Sequence, residues 1–184
     1  PDGAVREARE RVRVAIKNSG FTFPKERILV NLAPAGVKKE GASFDLALAL
    51  AVLHASAQIP PVEETEKTPV MVLGELQLSG RVRPVHGVLS AIATGIERGI
   101  NLFLVPWENL LEARSLKSGT VYGVGTLMES VKIILQLVYG RKPKQKREQS
   151  RIAKPYHPSC DLSEMKGQFT VKRGLEIAAA GRHH

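Results

Sequence analysis

Apolar residues recur at helical spacing at the start of the chain, on one face that contains Val5, Ala8, Val12, Ala15 and Ile16. This period predicts an amphipathic helix, which the turn sequence Asn-Ser-Gly ends at Gly20. On the polar face, opposite charges four residues apart predict ion pairs of Arg6 with Glu10 and of Glu7 with Arg11.

The next two apolar segments lack such a polar face. The sequence RILVNLAP, residues 27–34, predicts a short buried strand that is broken at Pro34. A helix is predicted from about Ser43 to Ala55, and its residues 46–53 are all apolar, so we expect it to be buried on every side. His54, near its end, is expected to be a hydrogen-bonded core or edge residue.

Downstream, strand-like and helical patterns alternate. Residues 69–85 show two β-type runs separated by Ser79 and Gly80, which predicts a hairpin. Helices are predicted over 87–99, 107–116 and 126–138, and strands over 100–106 and 119–124. Trp107 is expected to anchor the helix that it begins. This alternation predicts an α/β fold of the two-layer α+β kind, in which helices pack on a sheet.

Composition limits the classes of protein that fit. A chain of 184 residues that is 43% hydrophobic can bury one well-formed domain. The longest apolar run, residues 46–53, is far shorter than the roughly 20 residues that cross a bilayer. The first residues lack the apolar core of a signal peptide, and the single cysteine excludes an internal disulfide, so a cytoplasmic location is expected. Cys160, His157, His183 and His184 lack metal-ligand spacing, and no metal is predicted.

Most of the net charge of +9 lies in one segment. Residues 139–154 carry a net +6, from one glutamate and the basic residues Arg141, Lys142, Lys144, Lys146, Arg147, Arg151 and Lys154. With Pro155 and Pro158, this pattern indicates a linker over residues 139–160. Two interpretations stay open: a spacer kept soluble by its charge, or an arm that contacts the phosphates of a nucleic acid. No aromatic ladder accompanies the lysines, so base stacking is not predicted.

Three segments resemble a known family. KEGASFDLALALAVL (residues 39–53), GELQLSGRVRPVHGVL (74–89) and LVPWEN (104–109) resemble the N-terminal domain of the ComM/YifB proteins, which are Mg-chelatase-like AAA+ ATPases. The resemblance implies a ribosomal protein S5 domain 2-like fold, similar to the Lon protease catalytic domain. Residues 161–184 resemble the opening of the AAA+ module. We therefore expect a Lon-like domain over 1–138, the linker over 139–160 and the start of the module over 161–184.

The resemblance also implies partners and cofactors. Family members act on DNA in natural transformation and are expected to form rings, as hexamers, that bind ATP and Mg²⁺. The phosphate-binding pattern G-x-x-x-x-G-K-[ST] is absent from these 184 residues, so no nucleotide is expected to bind this stretch. The chain is expected to be a fragment that lacks its first strands and stops before that loop.

Ser43 occupies the position of the Lon nucleophile in this resemblance. A serine needs an adjacent base, and the Lon lysine falls at Ala91, so no catalytic residue is predicted. His86 and Asp45 are the alternative partners that would complete a triad. The expected role of Ser43 is instead to cap the helix that follows it. Lys38, Lys39 and Ser43 form a candidate anion pocket at that helix N-terminus.

Three functions stay open at this point. The first is a non-proteolytic assembly and DNA-binding module of an AAA+ motor with branch-migration activity. The second is a peptidase of the Lon type that depends on Ser43. The third is ATP-driven metal insertion, as the name of the Mg-chelatase family implies.

Overall fold

The computed structural model describes residues 3–30, 42–60, 68–143 and 166–181. Its chain divides into two units, residues 1–145 and 146–184. In chain order the elements of the first unit are α1 (Gly3–Asn18), α2 (Asp45–Ala55), β1 (Val70–Val72), β2 (Glu75–Leu76), β3 (Val82–Arg83), α3 (Val88–Glu97), β4 (Leu102–Pro106), a 3₁₀ turn (Trp107–Asn109), α4 (Leu110–Arg114), β5 (Thr120–Val124) and α5 (Leu127–Val138).

A parallel sheet in the order β1-β4-β5 forms the centre of the first unit. Leu102 of β4 lies between Val70 of β1 and Thr120 of β5. Strands β2 and β3 form the predicted antiparallel hairpin, in which Glu75 pairs with Arg83. Gly80 closes its turn with φ of +81°, a conformation that glycine adopts at little cost.

Helices cover both faces of the parallel sheet. Successive residues of a strand point to opposite faces, so Leu104 packs in one apolar cluster and its neighbour Phe103 in another. The first cluster joins the sheet to α1, α2 and α5, and the second joins it to α3 and α4. Burial on both faces is what a parallel sheet requires, and it explains why β4 is a continuous apolar run. The predicted α/β class is confirmed.

The strand predicted over residues 27–34 is wrong in its described part. Residues 27–30 form no strand, and Leu29 is 88% exposed. Ile28 and Val30 are also exposed. A run of apolar residues becomes a strand only when a neighbouring strand pairs with it, and no described strand pairs with these residues. Residues 31–34 lie outside the described part of the chain.

The helix predicted from about Ser43 begins at Asp45 and is not buried on every side. It buries Leu46, Ala49 and Leu53 against the sheet and α1, whereas Ala51 and His54 are exposed. The reason is geometric, since one face of an outer helix points to solvent even when its residues are apolar. His54 therefore lies at the solvent side of α2 and not in the core.

Trp107 anchors the segment after β4, as predicted. Its indole Nε1 donates to Glu129 Oε2 at 3.2 Å, and the same oxygen accepts from the Gly125 amide at 2.8 Å. The contact ties the end of β4 to α5. The helix predicted over 107–116 begins as the 3₁₀ turn and continues as α4.

The second unit contains α6 (Phe169–Gly181), which buries none of its residues. Phe169, Leu175 and Ile177 are exposed. Among the described residues, no helix is long and apolar enough to cross a membrane.

Candidate functional site

The first turn of α2 is fixed by the backbone of Gly74, the residue just before β2. The Gly74 amide donates to the carbonyl of Ser43 at 2.9 Å, and the Leu46 amide donates to the carbonyl of Gly74 at 3.0 Å. Phe44 is the N-cap residue, and no side chain caps the helix. The predicted cap by Ser43 is therefore wrong. The amide of Leu46, which a capping side chain would bind, already has a backbone acceptor.

The groups that would activate Ser43 do not reach it in the described residues. Ala91, at the position of the Lon lysine, packs against the apolar cluster of α3. His86 is exposed just before α3, and in the described part of the chain no hydrogen bond joins it to Ser43 or Asp45. A serine hydroxyl needs an adjacent base to act as a nucleophile, and neither of these two candidates supplies one.

Asp45 has a different role, as the centre of a buried ion pair. Its Oδ2 accepts from Arg11 Nε at 2.9 Å, and its Oδ1 lies 3.4 Å from Arg11 Nη2. The Leu76 amide donates to the same Oδ2 at 3.3 Å. The carboxylate thus connects α1, α2 and β2. Asp45 is therefore already engaged and does not orient His86.

Burial raises the pKa of the Asp45 carboxyl above its ordinary value, and the hydrogen bonds from Arg11 partly offset this effect. The hydrogen bond to Asp45 raises the pKa of Arg11 in turn. Arg11 also binds Glu7 at 2.6 Å, which confirms that predicted helical pair. Glu10 instead contacts Arg9 and Arg13, not the predicted Arg6.

No sequence pattern signals the Arg11–Asp45 pair. The two residues are 34 positions apart, and Arg11 already has a plausible partner on its own helix. An arginine on the polar face of an amphipathic helix is common, and so is an acidic residue in the first turn of a helix. Neither residue by itself indicates a partner on another element. Only the position of Asp45 at the start of an apolar helix indicates that it has a partner, because a charge that is buried needs one.

The candidate anion pocket lies mostly outside the described residues. Lys38 and Lys39 are not described, so Ser43 is its one described member. Ser43 is half-buried beside the Gly74 backbone. The pocket remains a prediction.

The basic segment begins within the first unit. Arg141 and Lys142 are exposed after α5, and the Arg141 amide donates to the Gln136 carbonyl at 2.8 Å. Pro143, the next residue, is buried. The start of the segment is thus attached to the body of the unit. The remaining members of the predicted DNA-contacting set lie outside the described residues: Lys144, Lys146, Arg147, Arg151 and Lys154.

In the described ranges, no group of three or more His, Cys, Asp or Glu side chains is arranged to hold a metal ion. Cys160, His157, His183 and His184 are outside those ranges. The prediction that they bind no metal is therefore not tested.

Residues 1–109 match the family described as subunit ChlI of Mg-chelatase, which is more than half of the chain. The chain belongs to this family. Proteins of several bacteria also match along all of its residues. An uncharacterized protein of Mycobacterium tuberculosis is 39% identical over 184 residues, YifB of Escherichia coli is 37% identical over 189, and the competence protein ComM of Haemophilus influenzae is 34% identical over 188. The predicted ComM/YifB relationship is confirmed.

Each of these alignments covers 100% of this ChlI-family chain and 35% of the relative. The chain therefore spans about a third of the length of the relatives that it matches. A more distant match is the Lon protease of Trichlorobacter lovleyi, 24% identical over 146 residues, which are 77% of this chain and 17% of that protein. This similarity supports the predicted Lon-like fold.

Proposed function

We propose that this chain is the non-proteolytic, Lon-like part of a ComM/YifB-type AAA+ ATPase that acts on DNA in the cytoplasm. In this proposal it serves as an assembly and DNA-binding module for a motor of branch migration. The observation that carries the proposal is the match to the competence protein ComM along the whole chain. The net +6 of residues 139–154 supports the DNA contact, because cations that neutralise phosphates drive association.

The sequence lacks the loop through which the proposed AAA+ motor would bind its nucleotide. The sequence contains no glycine-rich loop followed by Gly-Lys-Ser or Gly-Lys-Thr, and that loop is what cradles the phosphates and places the lysine. In the proposal, an AAA+ module binds ATP and Mg²⁺, and residues 161–184 resemble the opening of that module. Ring formation, as a hexamer, belongs to that module as well.

The DNA contact is tested by removing charge from the basic segment. Changing Lys142, Lys144, Lys146 and Arg147 to alanine is expected to weaken binding to mixed-sequence DNA. The salt dependence should fall too, by about 0.9 in the slope of log affinity against log salt for each duplex phosphate that the variant no longer neutralises. Fluorescence anisotropy of labelled DNA over a series of salt concentrations measures both quantities. An unchanged slope would move the DNA contact to another surface.

A Lon-type peptidase is the alternative that the Lon similarity favours. It predicts that a fluorophosphonate probe labels Ser43 and that labelling disappears in Ser43→Ala. Our proposal predicts no labelling, because no described base contacts the hydroxyl. Labelling that depends on Ser43 would establish the peptidase and contradict the non-proteolytic assignment.

A metal-insertion role is the second alternative, suggested by the description of the family. It predicts that the chain binds a porphyrin, which shifts the absorbance of the porphyrin. The DNA-binding proposal predicts no such shift.

A further inference from the structure

A basic cleft lies at the start of β5, away from Ser43 in the sequence. It has a volume of about 510 Å³ and is lined by Arg114 at the end of α4, Lys117 in the following turn and Lys142 after α5. None of the described residues that line it is acidic. Ser118 and Thr120 add hydroxyl groups to its wall. Three cations and two hydroxyls around one hollow provide donors suited to phosphate oxygens.

Among the described residues, no acidic side chain pairs with the cations of the cleft. All three side chains are exposed, and in the described part of the chain none of them forms an ion pair. By contrast, Arg11, Arg13 and Arg83 each contact a glutamate or aspartate. A cation that already pairs with a carboxylate attracts an anionic ligand less strongly. The cleft is therefore a better anion site than these three arginines.

The wall of the cleft has a defined backbone. The Lys117 amide donates to the Arg114 carbonyl at 3.1 Å, and the Thr120 amide donates to the Asn101 carbonyl at 2.7 Å. Lys117 has φ of +49°, which a non-glycine residue adopts only where its surroundings hold it. Pro143, which follows Lys142 in the chain and also lines the cleft, is buried. Hydrogen bonds and burial therefore hold the backbone that carries these cations.

We infer that this cleft binds the phosphodiester backbone of the nucleic acid that the basic segment engages. The inference rests on the proposed function, and it adds a DNA-contacting site on the first unit. The choice of nucleic acid follows from continuity, because Lys142 both lines the cleft and belongs to the run of basic residues that extends to Lys154.

The cleft contacts phosphates and not bases. Tyr122 is the one aromatic side chain among its described lining residues, and it is buried. Stacking on a base needs an exposed ring. Binding through the cleft is therefore independent of sequence, and it weakens as salt rises.

The test removes two cations that belong to the cleft and not to the basic segment. Arg114→Gln with Lys117→Gln is compared with Arg98→Gln and Lys132→Gln, which removes the same charge from exposed residues outside the cleft. Binding of fluorescein-labelled mixed-sequence DNA to the full chain is measured by anisotropy between about 50 and 200 mM salt. The cleft variant should bind about tenfold more weakly, with a salt slope smaller by about 2, and the control should change much less.

Each outcome separates the inference from the proposed function. Equal losses in the cleft variant and the control would overturn the cleft, because total charge would then account for binding. An unaffected cleft variant, with binding abolished on alanine substitution of the basic segment, would overturn the cleft and keep the DNA-binding module. No binding by the unmodified chain would overturn both. The charge-preserving Arg114→Lys with Lys117→Arg should retain binding, and its loss would overturn the inference, because positive charge at these two positions would then not be sufficient.

Discussion

The first turn of α2 is held by backbone groups and by one ion pair. Gly74 satisfies the Leu46 amide, and Asp45 links that turn to Arg11 and β2. At the start of α5 the arrangement is different, because the hydroxyl of Thr126 accepts from the Glu129 amide at 3.1 Å. Two similar residues beside helix starts, Ser43 and Thr126, therefore have unequal roles.

This difference predicts unequal effects of the same substitution. Thr126→Ala should lower the free energy of unfolding by about 1 kcal/mol, because it removes a capping hydrogen bond. Ser43→Ala should lower it by clearly less, because no side chain caps α2. Urea unfolding followed by the fluorescence of Trp107, the one tryptophan, measures both. A loss at Ser43 as large as that at Thr126 would show that the hydroxyl caps α2 after all.

The Arg11–Asp45 pair predicts a stability change that depends on pH. Arg11→Met leaves the Asp45 carboxyl buried without its cation and should cost about 3 kcal/mol at pH 7. Without the offset from Arg11, the pKa of Asp45 rises further above 3.8. At a pH below its ordinary pKa the carboxyl is protonated in the unfolded chain and in both folded proteins, so the penalty relative to the unmodified chain is small there. The penalty grows as pH rises from the pKa of Asp45 in the unmodified fold towards its higher pKa in Arg11→Met.

The measurement is the free energy of unfolding of Arg11→Met relative to the unmodified chain at matched pH values. Glu7→Gln is the control, since it removes the exposed partner of Arg11 and should cost less than about 1 kcal/mol. A loss for Arg11→Met that stays constant from about pH 4 to pH 7 would contradict this role of Asp45.

At the level of elements, close packing against the sheet fixes the position of α3. Gly95 lies on the buried side of this helix, facing Met71 of β1 and Phe103 of β4. A Cβ at this position would lie 2.8 Å from Phe103 Cε1 and 2.9 Å from Met71 Cε. The absence of a side chain lets the helix approach the strands closely.

Gly95→Ala is therefore expected to lower the free energy of unfolding by about 2 kcal/mol through overpacking. Gly174→Ala is the matched control within α6, where a Cβ meets nothing within 4 Å. That change should not destabilise the chain, because alanine favours a helix interior by about 0.5–1 kcal/mol over glycine. Circular dichroism during urea unfolding compares the two. Equal effects would mean that α3 can shift away from the strands without cost.

At the scale of the whole molecule, the sequence predicted the helices and strands that periodic patterns encode. It did not predict the contacts that depend on how those elements pack together. Periodicity located the hairpin, β4, β5 and α5, because each is encoded by consecutive residues. It did not predict that Ile28 and Leu29 would stay exposed, because that depends on the presence of a pairing strand. The Arg11–Asp45 pair joins residues that are far apart in sequence, and the cleft brings Lys142 to Arg114 and Lys117 from the other side of β5 and α5 in the chain, so no local pattern signals either one.

The most direct test of the account is the salt dependence of DNA binding by the unmodified 184-residue chain. Affinity for mixed-sequence DNA, measured by anisotropy, should fall linearly with salt on logarithmic axes, with a slope of about −0.9 for each duplex phosphate contacted. Several contacts, and equal affinity for unrelated sequences, are the predicted result. Failure to bind at about 50 mM salt, or an affinity that does not change with salt, would contradict the proposal that this chain is a DNA-binding module.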